Sequence, residues 1–265
     1  MTAENPALAF GWRVYGLGVM AMAALCLAWG TFDVGQAVPR SFPGYTALAY
    51  AAATFMLLAG AAIEWRRTTA WAAAALTVYY ALVVVLLMDG RGVLAHYAEF
   101  GSYSNVAEQV AIAAGALIVY AASAEIDAGR AARLTRIGQV AFGICALLFG
   151  GAHFFYMNLT APLVPKWLPP GQVFWGYATG VAHIAAGLAI LSGVQARLAA
   201  ILLTIMYASF TPLVHLPMLL ASPSNHFIWG ENALNVALTG VAWVVADSLA
   251  RWKALSSGRD KVAPV

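Results

Sequence analysis

The chain has 265 residues, of which 62% are apolar and only 9% charged, and its mean hydropathy is +0.77. A soluble domain carries about a quarter charged residues because its surface must face water, so this composition excludes a soluble globular protein and calls for a surface covered by lipid. The net charge of +3 comes from basic residues scattered through short loops rather than gathered into a stripe, which excludes a nucleic-acid partner. Cys26 and Cys145 lie in separate apolar runs with no CxxC spacing, so neither a dithiol relay nor a disulfide framework is expected.

No Lys or Arg precedes Arg13, and the apolar run that begins there is long enough to span a bilayer, so it reads as a retained membrane helix rather than a cleavable signal. Seven more runs of about 20 apolar residues, the length needed to cross the hydrocarbon core, follow. The spans are placed at 12–30, 45–63, 69–88, 106–124, 135–156, 173–193, 198–220 and 230–249. The joints between them carry polar residues, Pro and Gly, as in Asp33 to Gly44, Asp89 to Ser104 and Asn158 to Gln172. Eight spans leave both termini on one side. That side holds Arg13, Arg66, Arg67, Arg130, Arg133, Arg136, Arg197, Arg251, Lys253, Arg259 and Lys261, against only Arg40, Arg91 and Lys166 on the other. The positive-inside rule makes it cytoplasmic, as in a bacterial inner-membrane protein.

The chain also aligns with itself. Arg13 corresponds to Arg136, and the joint Ala37 to Gly44 (AVPRSFPG) to Leu163 to Gly171 (LVPKWLPPG). Beyond it Tyr50 matches Tyr177, Gly60 matches Gly187, Thr77 matches Thr204 and Tyr80 matches Tyr207. In the last span of each half Glu108 matches Glu231. Each half holds an even number of spans, so the halves are parallel repeats about an axis along the membrane normal. The expected fold is all-α: a polytopic membrane protein of eight transmembrane helices in two four-helix repeats, 1–128 and 129–265.

The glycine-bearing spans, the V-P-x-W-L-P joint, the span FWGYATGVAHIAAGLAIL and the final span opening ENALNVALTG together resemble the DoxX/DoxD-like membrane family. The resemblance covers most of 135–250 and, more weakly, 12–124. It implies a four-helix unit, here duplicated. One branch of that family resembles the small membrane subunit of a thiosulfate:quinone oxidoreductase, and others associate with oxidative-stress proteins. The resemblance thus implies a redox-associated membrane component, with a quinone as ligand and a redox partner protein.

Duplication supplies an internal control, because a feature found in one half alone is a candidate for function. His183 stands where the first half has Met56, His215 where it has Met88, and His153 near the position of Gly30. Asn235 replaces Ile112, Thr239 replaces Ala116 and Thr211 replaces Val84. Polar groups inside a membrane are costly and mark function. Gly176, Gly180, His183 and Gly187 share one helical face, and small residues turn such a face toward protein. Thr204, Ala208, Thr211 and His215 form a stripe, as do Glu231, Asn235 and Thr239. Pro212 removes a backbone donor and is expected to leave the Ala208 carbonyl without its bond. At about 1.5 Å rise per residue, His153, His215 and Glu231 fall at one outer level and His183 a turn or two deeper. An outward-opening pocket follows, with His183, His215 and Glu231 as its acid–base groups. His153, His183, His215, Asn235, Trp175 and Tyr177 would line a cofactor or ligand.

Several chemistries fit that pocket. Histidine beside a carboxylate can bind a quinone and move its protons. Histidines on different helices can also ligate haem, zinc or iron, although no HxxxH or HxxEH spacing is present. Acid–base chemistry on an isoprenoid or other lipophilic substrate is a third reading. A non-catalytic anchor for a partner protein is the fourth.

Overall fold

The computed structural model describes residues 10–259, with side chains through 250. Of the C-terminal basic cluster, Arg251, Lys253 and Arg259 lie where only backbone is described, and Lys261 lies outside the described residues. Eight helices are long and apolar enough to cross a membrane: α1 (Gly11–Trp29), α2 (Tyr45–Ile63), α3 (Thr69–Ala95), α4 (Phe100–Ser123), α5 (Ala128–Phe155), α6 (Gln172–Ser192), α7 (Ala196–Ala221) and α8 (His226–Ala250). No strand occurs among the described residues. The protein is an all-helical integral membrane protein.

Sequence spans and helices agree in number and differ at their ends. α3 runs on past Met88, α4 begins at Phe100 rather than 106, and α5 begins at Ala128 rather than 135. Apolar length locates the hydrocarbon crossing, whereas a helix continues until a cap or a breaker stops it. Asp127 supplies such a cap, its carboxylate accepting a hydrogen bond from the Arg130 N–H at 2.8 Å. Gly30 and Gly193 end α1 and α6 in the left-handed conformation.

In the plane of the membrane α1 packs on α2 and α8, α3 on α2 and α4, α5 on α4 and α6, and α7 on α6 and α8. α4 and α8 also touch each other and are the two most buried spans. Small residues allow the closest of these approaches. A Cβ on Gly18 would run into the Ala237 backbone, and one on Gly240 into that of Tyr15, where α1 meets α8. Gly16 faces Gly60 between α1 and α2, and Gly143 faces Gly187 between α5 and α6. Polar ties are few. The Tyr15 hydroxyl donates to the Ile112 carbonyl (3.2 Å) and Gln139 Nε2 to Ser248 Oγ (3.0 Å). Arg136 caps α6 by donating to the carbonyls of Ile190 (3.1 Å) and Leu191 (2.7 Å), a cation at a helix C-terminus.

Two helices change register. α3 is a π-helix over Tyr79–Asp89 and α7 over Thr211–His215. A π segment bonds i to i+5 rather than i+4, and the inward face shifts with it. Tyr80, Val84 and Asp89 are all buried. At an α-helical period Asp89 would turn away from that face.

Candidate functional site

Three of the second-half residues meet. The imidazoles of His153 on α5 and His183 on α6 lie 5.0 Å apart between ring centroids, and His183 lies 5.4 Å from the ring of Tyr207 on α7. Phe149 closes the fourth side, its ring 6.2 Å from that of His183 and edge-on. Gly180 permits the approach: a Cβ there would lie 2.8 Å from that of His153. Each histidine uses Nδ1 in the same way. His183 Nδ1 is 2.8 Å from the Thr179 carbonyl and His153 Nδ1 is 2.8 Å from the Phe149 carbonyl, each one turn back on its own helix. A carbonyl can only accept, so each Nδ1 carries the proton and each Nε2 presents a lone pair. His183 is 2% exposed, while His153 is half-buried and forms the outer edge of the pair. The Tyr207 hydroxyl is buried with no hydrogen-bond partner.

The pairing differs from the one expected by depth. His153 meets His183, not His215, because α5 and α6 are in direct contact through their glycines. His215 lies eight residues beyond Tyr207, roughly 12 Å further along α7. It has no ring contact or hydrogen bond of its own among the described residues. Glu231 faces Glu108 and Asp33 instead of the imidazoles. Trp175 is turned outward, its indole N–H donating to the Pro169 carbonyl (2.9 Å), and Tyr177 packs on Phe154 on the exposed face of the α5–α6 seam.

Asn235 is spoken for. Its side-chain nitrogen donates to the Tyr207 carbonyl (3.0 Å) and to Thr211 Oγ1 (3.1 Å). The π register accounts for this bond. Leu216 N–H bonds the Thr211 carbonyl, five residues back. In that register Pro212 would have served Tyr207 rather than Ala208, and having no N–H it cannot. Asn235 supplies the missing donor from the neighbouring helix. Thr239 and Thr204 also return their hydroxyls to backbone carbonyls four residues back. Among the described residues no group of three His, Cys, Asp or Glu side chains gathers as a metal would require.

A second polar cluster lies in and against the first half. After α1, residues 33–37 fold inward against the helix ends, burying Asp33 and Gln36. Asp33 is 3% exposed, Gln36 5%, Asp89 2% and Gln109 0%. The Ala37 N–H donates to Asp89 Oδ1 (3.1 Å), Asn105 Nδ2 to the Gly35 carbonyl (3.4 Å), and Gln36 Nε2 to the sulfur of Met56 (3.5 Å). Val34 packs on Gly230 of α8, and the Gln109 amide lies on Gly35. Glu108 faces Asp33, Asp89 and Glu231. Burial pushes the Asp33 carboxyl up to about 6, with the N–H groups of Gly35 and Val34 opposing.

Comparison with known proteins adds one match. Residues 142–246 fit the family model of a domain of unknown function (DUF8561), a segment that contains His153, His183, Tyr207, His215, Glu231 and Asn235. No curated protein and no solved structure matches the chain.

Proposed function

We propose that the protein is a redox-associated membrane component, of the bacterial inner membrane with both termini cytoplasmic, that binds a quinol-type lipophilic molecule through His153 and His183. The observation that carries this reading is the pair of neighbouring imidazoles whose Nδ1 protons are already committed to backbone carbonyls. Both Nε2 atoms are then acceptors, suited to a ligand that brings hydroxyl donors, as a quinol does. Half-buried His153 gives access from the outer side, and Phe149 and Tyr207 supply the aromatic walls a flat ring would need. The resemblance to DoxX/DoxD-like proteins supports the redox assignment, and the basic residues concentrated on one side support the orientation.

The same reading takes residues 1–128 and 129–265 as two parallel repeats. Equivalent pairs of helices pack together, and the π segment of α7 aligns with the second part of that in α3. Equivalent side chains also meet: the Tyr80 hydroxyl donates to Met56 Sδ (3.8 Å) where Tyr207 faces His183.

That correspondence furnishes the test. Methionine occupies the place of His183 in the first half, fully buried beside Tyr80, so His183→Met is expected to fold. In lipid nanodiscs a short-chain ubiquinol should bind the native protein, and His183→Met should weaken it about tenfold, the loss of one buried hydrogen bond worth ~1.4 kcal/mol. A second reading, a non-catalytic anchor for a partner protein, is favoured by the internal hydrogen bonds of Asn235, Thr239 and Arg136. Native protein that ignores ubiquinol would leave the anchor reading standing and end the quinol one.

A further inference from the structure

An apolar groove of about 510 Å³ runs along the seam of α2 and α3, open on one side and lined from Trp71 at one end to Val83 at the other. The rings of Phe55 and Tyr79, 5.0 Å apart, form its floor. Ala74 and Ala75 line it with side chains that stop at Cβ, which leaves it room. Trp71 stands 81% exposed at the mouth, and tryptophan in a membrane helix favours the boundary between lipid and water. From Trp71 to Val83 the helix rises by about 18 Å, at 1.5 Å per residue. Half of the hydrocarbon core is ~15 Å, so the groove has the length of one acyl chain of one leaflet.

Its two ends differ in charge. Arg66 and Arg67, both exposed, lie in the turn that leads into α3, just before Trp71. Glu64, the acid of that turn, is directed onto Gly16 of α1, and the Thr68 and Thr69 hydroxyls are spent on the carbonyls of Ala62 and Ile63. At the other end Val83 is flanked by exposed Leu82, Leu86 and Leu87. A ligand that matches both ends carries an anion and a hydrocarbon chain, and guanidinium suits a phosphate. The second half shows that the features belong together. At the offset of 127 that aligns the halves, Arg66 and Arg67 become Gly193 and Val194, Trp71 becomes Leu198, and Ala74 and Ala75 become Ile201 and Leu202. The arginine pair, the tryptophan and the small side chains are all replaced at once, although that turn keeps a basic residue in Arg197. A topology signal needs the arginines and has no use for the groove.

We propose that this groove, with Arg66 and Arg67 at its mouth, binds one anionic phospholipid of the adjacent leaflet. The two guanidinium groups hold the phosphate, and one acyl chain lies along the groove from Trp71 to Val83. The site is separate from the histidine pair and does not depend on it.

Native mass spectrometry of the full-length protein, titrated with phosphatidylglycerol or with phosphatidylcholine of the same chains, tests the site. The first phosphatidylglycerol is expected to bind about tenfold more tightly than phosphatidylcholine. Arg66→Gly with Arg67→Val should erase that preference, and Ala74→Ile with Ala75→Leu should weaken the binding of both lipids. The second half carries these residues at the aligned positions, so both variants are expected to fold. A second measurement leaves the groove intact. Phosphatidylglycerol with brominated chains, diluted into phosphatidylcholine nanodiscs, should quench tryptophan fluorescence more than brominated phosphatidylcholine does, and Trp71→Phe should remove the excess. Equal binding of the two lipids by the native protein overturns the proposal. So does a preference that survives loss of the arginines, which would place the phosphate elsewhere. Binding unchanged in the filled groove, or excess quenching unchanged in Trp71→Phe, would place the chain elsewhere and overturn it as well.

Discussion

At the level of single residues, Asp33 links the loop to stability. Its folded-state value is raised from 3.8 to about 6, so between these limits the native state holds a proton that the unfolded chain has lost. The stabilisation associated with that proton is complete below pH ~4 and disappears as pH rises through about 6. Two units at 1.36 kcal/mol each bound the effect at ~3 kcal/mol. Asp33→Asn should therefore flatten the fall in melting temperature between pH 4 and 7 and raise the melting temperature at pH 7. A variant whose profile parallels the native one would show that Asp33 keeps its ordinary acidity. Glu64 carries the same sign more weakly, since it is partly exposed and Arg13 opposes the effect of burial. Asp33 and Asp89 were visible in the sequence as polar residues in outer joints, and their burial was not. Nothing in a one-dimensional pattern says that residues 33–37 turn inward or that a π-helix swings Asp89 onto the inner face. Asp33, Gln36 and Asp89 are polarity peculiar to the first half, so the histidines gained in the second carry no sign of them.

At the level of elements, the coupling between α7 and α8 follows from one missing N–H. Asn235→Ala removes two hydrogen bonds and leaves the Tyr207 carbonyl bare in a dry interior. Side-chain bonds between membrane helices are worth about 0.6–2 kcal/mol each, so a loss of ~1–3 kcal/mol is expected in thermal or denaturant unfolding in detergent. Pro212→Ala restores a backbone donor to α7. If Pro212 is the reason for the bond, Asn235→Ala should cost at least ~1 kcal/mol less in the Pro212→Ala background, a coupling that a double-mutant cycle reads directly. Equal costs in both backgrounds would mean that the π turn persists without the proline. Pro212 and Asn235 were each legible as unusual in a membrane span. Their partnership was not, because it depends on a five-residue hydrogen-bond register that α-helical counting cannot show.

At the level of the whole molecule, the number of spans and the inward glycine faces were legible because the bilayer fixes helix length and small residues mark close approach. Which helices close the ring was not. α1 makes its most extensive contact with α8, and α5 packs as broadly on α4 as on α6, so the two halves interlock through their end helices. The consequence is an assembly that neither half completes. Residues 128–265 alone would leave the face of α5 that meets α4 and the face of α8 that meets α1 against lipid, including Gly240, shaped to receive the Tyr15 backbone. A break between Ala124 and Asp127, in the extended linker between α4 and α5, removes no packed side chain. The two fragments made together are expected to co-purify and to melt as one unit, near the temperature of the intact chain. The second fragment made alone should aggregate or be degraded. Stable, monodisperse second fragment by itself would show that the histidine-bearing half is an independent domain, and the contacts between α1 and α8 would then be docking rather than folding.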